Sequence, residues 1–204
     1  MPTKGQRTRA EIVQRSAALM NRQGFLAAPM AAVVEATGIQ KGGLYRHFES
    51  REALANEAFD YAVSQVRARF MQALQGRSGA CEQLLALLNA YADATGDVPF
   101  AGGCPIMNTA IEADHAHPSL RLRAQEAMSG WHGLLQRIVT AGLAARELRP
   151  GTDPKHVATV FIASIEGAVM LTHLYGDASH LNSARSHLAR WIESDLRQPE
   201  GGFA

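Results

Sequence analysis

Between Gly38 and Arg51 the chain gathers residues suited to contacting a polyanion rather than to making or breaking bonds. Lys41 and Arg46 supply cations, Tyr45 a hydroxyl-bearing ring, and His47 an imidazole. A lysine or arginine can bond guanine O6 and N7 in a major groove, a chemistry open to Lys41 or Arg46. The adjacent Gly42 and Gly43 cost a short helix about 1 kcal/mol each relative to alanine. Close approach to a DNA backbone or a thymine methyl is one reason for them; a weak helix held by tertiary contacts is the other.

Further along, Cys104 stands just ahead of Pro105. There the positive end of a helix dipole lowers a thiol pKa and suits it to sensing oxidants or electrophiles, although a small buried hydrophobe has the same appearance. Met107, Asn108, Trp131, His132, Glu166, Met170 and His173 are soft or polar residues among apolar ones. Small-molecule cavities have this composition, and so do ordinary cores with satisfied polar groups. Glu166 lies inside the apolar run 161–171 and demands a partner, whether a ligand, a dimer mate or an Arg or His of the fold. Asp114-His115-Ala116-His117 offers two histidines but no firm third ligand, so no metal site is expected. With no G-x-S-x-G, P-loop, H-E-x-x-H or Cys-x-x-Cys, neither an enzyme nor a cofactor is expected.

The segment 33–48 reads as two short helices joined at Gly38, a position that tolerates a left-handed backbone. Val33, Val34, Ile39, Leu44 and Phe48 tie the two together, giving a helix-turn-helix. The remaining pattern is helical throughout, which predicts an all-α chain of about nine helices of 10–14 residues or somewhat longer. Helix one opens at the capping-box spacing Thr8 to Glu11 and stops at Gly24, and Pro29 serves the first turn of helix two. Further helices are expected over about 41–48, 51–75, 81–95, 105–113, 118–148, 153–175 and 178–196. A glycine-rich loop falls at 96–103, and a frayed tail follows from 197.

Charge divides the chain. Residues 1–51 hold eight Lys/Arg against three acids, and residues 52–204 hold twelve against sixteen, so the total of +1 hides a basic head on an acidic body. A basic cluster on one short domain is the footprint of phosphate binding, although a solvated helical face also carries scattered charge. The expected organisation is a DNA-binding head over 1–50 and a larger helical body over 51–204. A chain of 204 residues, 47% apolar, makes a sizeable core. Without an apolar leader or a run of about 18 apolar residues, a cytosolic location and no membrane partner are expected, with Cys81 and Cys104 as thiols.

At Gly24-Phe25, Gly38-Ile39, Leu44-Tyr45-x-His47-Phe48 and Arg51-Glu52-Ala53-Leu54 the chain resembles the TetR family of bacterial transcriptional regulators. The resemblance implies that Gln40, Lys41, Gly43, Tyr45 and Arg46 face the major groove. It places Tyr45, His47 and Arg51 on phosphates. The chain departs from the family pattern at three places: Gln40 where a Ser/Thr cap is common, Ala28-Pro29 where a Thr-Ser pair stands, and Val34 for alanine. The segment 102–114, with Cys104, Met107, Asn108 and Ile111, resembles one that borders the ligand cavity in one group of these regulators. The implied function is a repressor acting as a homodimer on double-stranded operator DNA and released by a small, largely apolar effector. Gly167, Ala168, Leu171, Leu174, Leu181, Leu188 and Trp191 are the expected four-helix seam. Two alternatives remain: a thiol switch at Cys104, and a helical binding protein or enzyme that keeps a degenerate head.

Overall fold

A computed structural model describes residues 2–92, 102–113 and 117–199. Nine α-helices occur among them: α1 (Lys4–Gln23), α2 (Met30–Thr37), α3 (Lys41–His47), α4 (Arg51–Leu74), α5 (Ala80–Ala92), α6 (Pro105–Glu112), α7 (Pro118–Ala144), α8 (Pro154–Tyr175) and α9 (Ser179–Trp191). The all-α expectation holds, and the single β-feature among the described residues is an isolated bridge between Leu148 and Arg197. The expected loop over 96–101, the end of α5 near Thr95, and Asp114, His115 and Ala116 lie outside the described residues.

Helix α1 starts one turn earlier than the Thr8 spacing indicates. Thr3 and Gln6 form an equivalent capping box, with the Gln6 amide donating to Thr3 Oγ1 and the Thr3 amide to Gln6 Oε1. Nothing in the next turn breaks the helix, so Thr8 lies inside it and donates its hydroxyl to the Lys4 carbonyl. Pro29 occupies the N-cap of α2 rather than its first turn, with an extended ψ of 146°. Of the tail expected to fray from 197, residues 197–199 are described and are held by the fold, and 200–204 lie outside the described residues. A π-helical turn over Ile192–Leu196 follows α9. The Arg149 amide donates to the Leu196 carbonyl and the Gln198 amide to the Glu147 carbonyl, each at 2.8 Å. These bonds pin the chain where local sequence offers no helix signal.

By contacts the chain forms two compact units, residues 1–67 with 96–127, and residues 68–95 with 128–204, whose bounds differ from the expected division at residue 50. The first is built on Ile12, Met20, Phe25, Leu44, Leu54 and Phe59, all buried, with Phe25 and Phe59 edge to face at 5.5 Å. In the second, α8 packs on α9, and α5 on α9 and the π-helical turn. Helix α8 is long and apolar enough to cross a membrane, but Val157, Ala158, Phe161, Ile162, Ile165 and Val169 are buried in this unit, which accounts for much of its apolar character. Gly142 permits the close approach of α7 to the start of α5, since a Cβ there would lie 2.4 Å from Ala80 Cβ.

Candidate nucleic-acid interface and effector region

The turn between α2 and α3 is fixed from both sides. Gly38 adopts φ 73°, the left-handed region that glycine enters without Cβ strain, and its amide donates to the Val34 carbonyl at 2.8 Å. Thr37 Oγ1 donates to the Val33 carbonyl at 2.7 Å and accepts the Ile39 amide at 3.3 Å. Leu44 and Phe48 anchor α3 in the core, leaving Gln40, Lys41, Gly42, Tyr45 and Arg46 exposed. His47 is half-buried, and Gln40 caps α3 without a side-chain bond.

The paired glycines have separate reasons. A Cβ at Gly43 would sit 2.8 Å from Ile39 Cγ2, so helix packing accounts for it, whereas a Cβ at Gly42 meets nothing within 4 Å. Gly42 therefore has no steric reason inside this chain, and α3 is flat where it faces outward.

Several head cations serve the fold. Arg9 forms a two-pronged pair with Glu57, donates to the His47 carbonyl and lies 4.7 Å above the Phe48 ring, which joins α1, α3 and α4. Arg15 pairs with Glu11. Arg51 donates through Nη2 to the Leu26 and Ala28 carbonyls, so its guanidinium holds the α1–α2 turn. Lys4, Arg7, Arg15, Arg22, Lys41 and Arg46 are the exposed cations of this region, Arg15 within its surface pair with Glu11.

On the opposite side of that turn, Glu112 at the end of α6 accepts the Phe25, Leu26 and Ala27 amides at 2.7, 2.8 and 2.8 Å. Gly24 makes room for it: its φ is 96°, and a Cβ would come within 2.5 Å of Glu112 Oε1. The other end of α6 is fastened too. Asn108 donates to the Gly102 carbonyl, Asn21 to the Gly103 carbonyl, and a Cβ on Gly102 would collide with the Asn21 carbonyl at 2.2 Å. Glu112→Ala leaves three amides without their acceptor, one of them on buried Phe25. We expect a loss of about 2–4 kcal/mol and a fall in Tm of roughly 5–15 °C by calorimetry, with water rescuing the outer amides. An unchanged Tm would show that the clasp contributes nothing.

The nine residues singled out for a ligand are divided between the two units. Cys104, Met107, Asn108 and Ile111 belong to the first unit, and Trp131, His132, Glu166, Met170 and His173 to the second. Asn108 is committed to backbone carbonyls, Ile111 is 71% exposed, and Met170 and His173 also face outward. Met107 and His132 are half-buried. Trp131 and Glu166 meet through Tyr91, whose hydroxyl donates to Glu166 Oε1 at 3.1 Å and whose ring stacks on Trp131 at 5.3 Å and 12°. Phe70 completes the cluster, 5.5 Å from Trp131 and 5.9 Å from Tyr91. Neither Tyr91 nor Phe70 is among the residues singled out from the sequence. A hydroxyl-bearing ring within an apolar stripe was the available signal for Tyr91.

Neither thiol suits a redox switch. Cys104 caps α6 as expected but is 1% exposed, and burial pushes the Cys81 thiol up to about 11 against the pull of Arg197. Reactive cysteines need a low pKa and access to solvent. Of the residues named for the seam, Ala168, Leu181 and Leu188 are buried in the chain's own core and have no surface to offer a second copy. Gly167, Leu171 and Trp191 are half-buried, and Leu174 is 69% exposed.

Residues 12–58 match the family model described as bacterial regulatory proteins, tetR family, and residues 80–188 match the tetracyclin repressor-like C-terminal domain. The solved TetR transcriptional regulator of Chloroflexus aurantiacus J-10-FL is 41% identical, covers 96% of this chain and 99% of its own, and superposes with a TM-score of 0.91. An uncharacterized HTH-type transcriptional regulator of Mycobacterium tuberculosis is 27% identical, over 92% of this chain and 95% of its own. The HTH-type transcriptional repressor DhaR of a Mycobacterium species is 23% identical, over 79% and 80%.

Proposed function

The chain belongs to the TetR family of DNA-binding transcriptional regulators, and on that premise we propose that it is a cytoplasmic repressor that works as a homodimer. Two heads, residues 1–50, hold a palindromic operator. The body, residues 51–204, takes up a small, largely apolar effector and favours a conformation in which the heads no longer fit. The effector's leverage equals its difference in affinity for the two states. The observation that carries the DNA reading is α3 itself, with Lys41, Tyr45 and Arg46 exposed around the open Gly42 over a turn fixed by Gly38 and Thr37. The likeness to DhaR, which is named a repressor, supports repression over activation. Small-molecule release is favoured over the thiol switch because Cys81 and Cys104 are both buried.

Gly42 provides the test. Selection from a random duplex pool should enrich a palindrome whose half-sites lie 34–36 Å apart or a multiple of that. Gly42→Ala should steady α3 by about 1 kcal/mol, because nothing in the chain opposes the new methyl. Its affinity for the selected duplex, read by anisotropy, should nevertheless fall roughly ten-fold or more, since a loss near 1.4 kcal/mol at the DNA face is already ten-fold. Unaltered affinity would remove Gly42 from the contact surface, and failure to enrich any duplex would overturn the repressor reading.

A further inference from the structure

Between α1 and α2 the chain makes one helical turn that is held from both ends by charged side chains remote in sequence. The Ala28 amide closes it by donating to the Gly24 carbonyl at 3.1 Å. In such a turn the first amides and the last carbonyls have no partner of their own. Glu112 takes the amides, with Leu26 and Ala27 on Oε1 and Phe25 on Oε2, and Arg51 takes the carbonyls of Leu26 and Ala28, the latter at 2.6 Å. An anion at the amide end and a cation at the carbonyl end complement the dipole of the turn. Nothing local does this work: α2 is capped by Pro29 with no side-chain bond, and neither Ala28 nor Pro29 carries a side-chain donor or acceptor. All of these residues belong to the first unit.

The geometry points to Glu112 and Arg51 as a pair of positioning residues for operator binding, which act on α2 and α3 through this turn and touch no DNA themselves. The proposal rests on the reading of α3 as operator-binding and adds to it two residues outside the recognition helix. Pro29 joins the turn directly to α2, and the Gly38 turn joins α2 to α3, so a shift of residues 24–28 displaces the helix that carries Lys41 and Arg46. For Arg51 this assignment replaces the phosphate contact that the family resemblance implies. The charges make the two kinds of role separable. Glu112 is an acid fastened to a basic head, and removing it should, by charge alone, strengthen binding to a polyanion. As one end of a clamp it has the opposite effect, because the amides it holds lose their acceptor and the turn moves.

Anisotropy on the selected duplex, at a temperature well below the Tm of every variant, tests the pair through Glu112→Gln, Arg51→Met and the double variant of the full chain. Glu112→Gln keeps an acceptor for Leu26 and Ala27 and so spares the fold, and Arg51→Met keeps the apolar stem. Each single variant should bind about ten-fold or more weakly than the parent, with the parent's salt dependence. The double variant should lose about as much as the worse single one, since both act on one turn. Affinity for Glu112→Gln equal to or above the parent's would overturn the proposal, and so would losses that multiply in the double variant. A salt slope shallower by about 0.9 or more for Arg51→Met is the signature of a lost phosphate contact and would overturn it too. Should Arg51→Met fail to fold, the sign of the Glu112→Gln effect decides alone. A parent that enriches no duplex overturns the repressor reading and this proposal together, whereas a parent that binds and a Glu112→Gln that binds equally well overturn only the proposal.

Discussion

Leu174→Arg is expected to produce a monomer that has lost its operator. In a single chain Leu174 is 69% exposed, and Met170 and Tyr175 beside it at the end of α8 are 47% and 66% exposed. Large apolar side chains left to water on one stretch of helix need a partner, and in the proposed dimer that partner is the second copy. An arginine at an exposed position leaves the monomer fold intact, so the effect should fall on association alone. Set into the seam without a counter-charge, the guanidinium costs several kcal/mol. Two linked heads bind a palindrome roughly 10²–10⁴-fold more tightly than one, and that advantage goes with the dimer. Sedimentation velocity together with anisotropy on the selected duplex checks both halves. A dimeric profile for Leu174→Arg would place the seam elsewhere.

The second large effect is that of salt. If the dimer neutralises about six to ten phosphates, operator affinity should fall about 10³–10⁵-fold between 50 and 200 mM salt. Arg9, Arg15 and Arg51 are engaged with Glu57, Glu11 and backbone carbonyls, so Lys4, Arg7, Lys41 and Arg46 of the two heads are the cations best placed to supply those contacts. Lys41→Ala or Arg46→Ala should flatten the salt slope and relax sequence preference together, because both stand on α3. Arg7→Ala should flatten the slope alone, since a phosphate contact carries no base information. Affinity that does not change with salt would overturn this account of the head.

The head was largely legible in the order of residues because its determinants are local. A glycine at the α2–α3 turn, apolar residues three or four apart on either side, and the cations of α3 all lie within one short stretch, so helical periodicity and turn chemistry are enough to place them. The chain's helical class was legible for the same reason. What could not be read there depends on residues far apart in the chain. Arg51 turns inward to the Leu26 and Ala28 carbonyls, and Glu112 crosses more than eighty positions to take the amides of Phe25, Leu26 and Ala27. Nothing in the composition near either residue signals this, because a charged side chain looks alike whether it faces water or unpaired backbone. Periodicity marks Leu181 and Leu188 as apolar without saying whether they face their own core or a second copy, and packing assigns them to the former. Glu166 was recognisable as an acid in need of a partner; that Tyr91 provides one, with Phe70 and Trp131 alongside, follows only from the packing that brings α4, α5, α7 and α8 together.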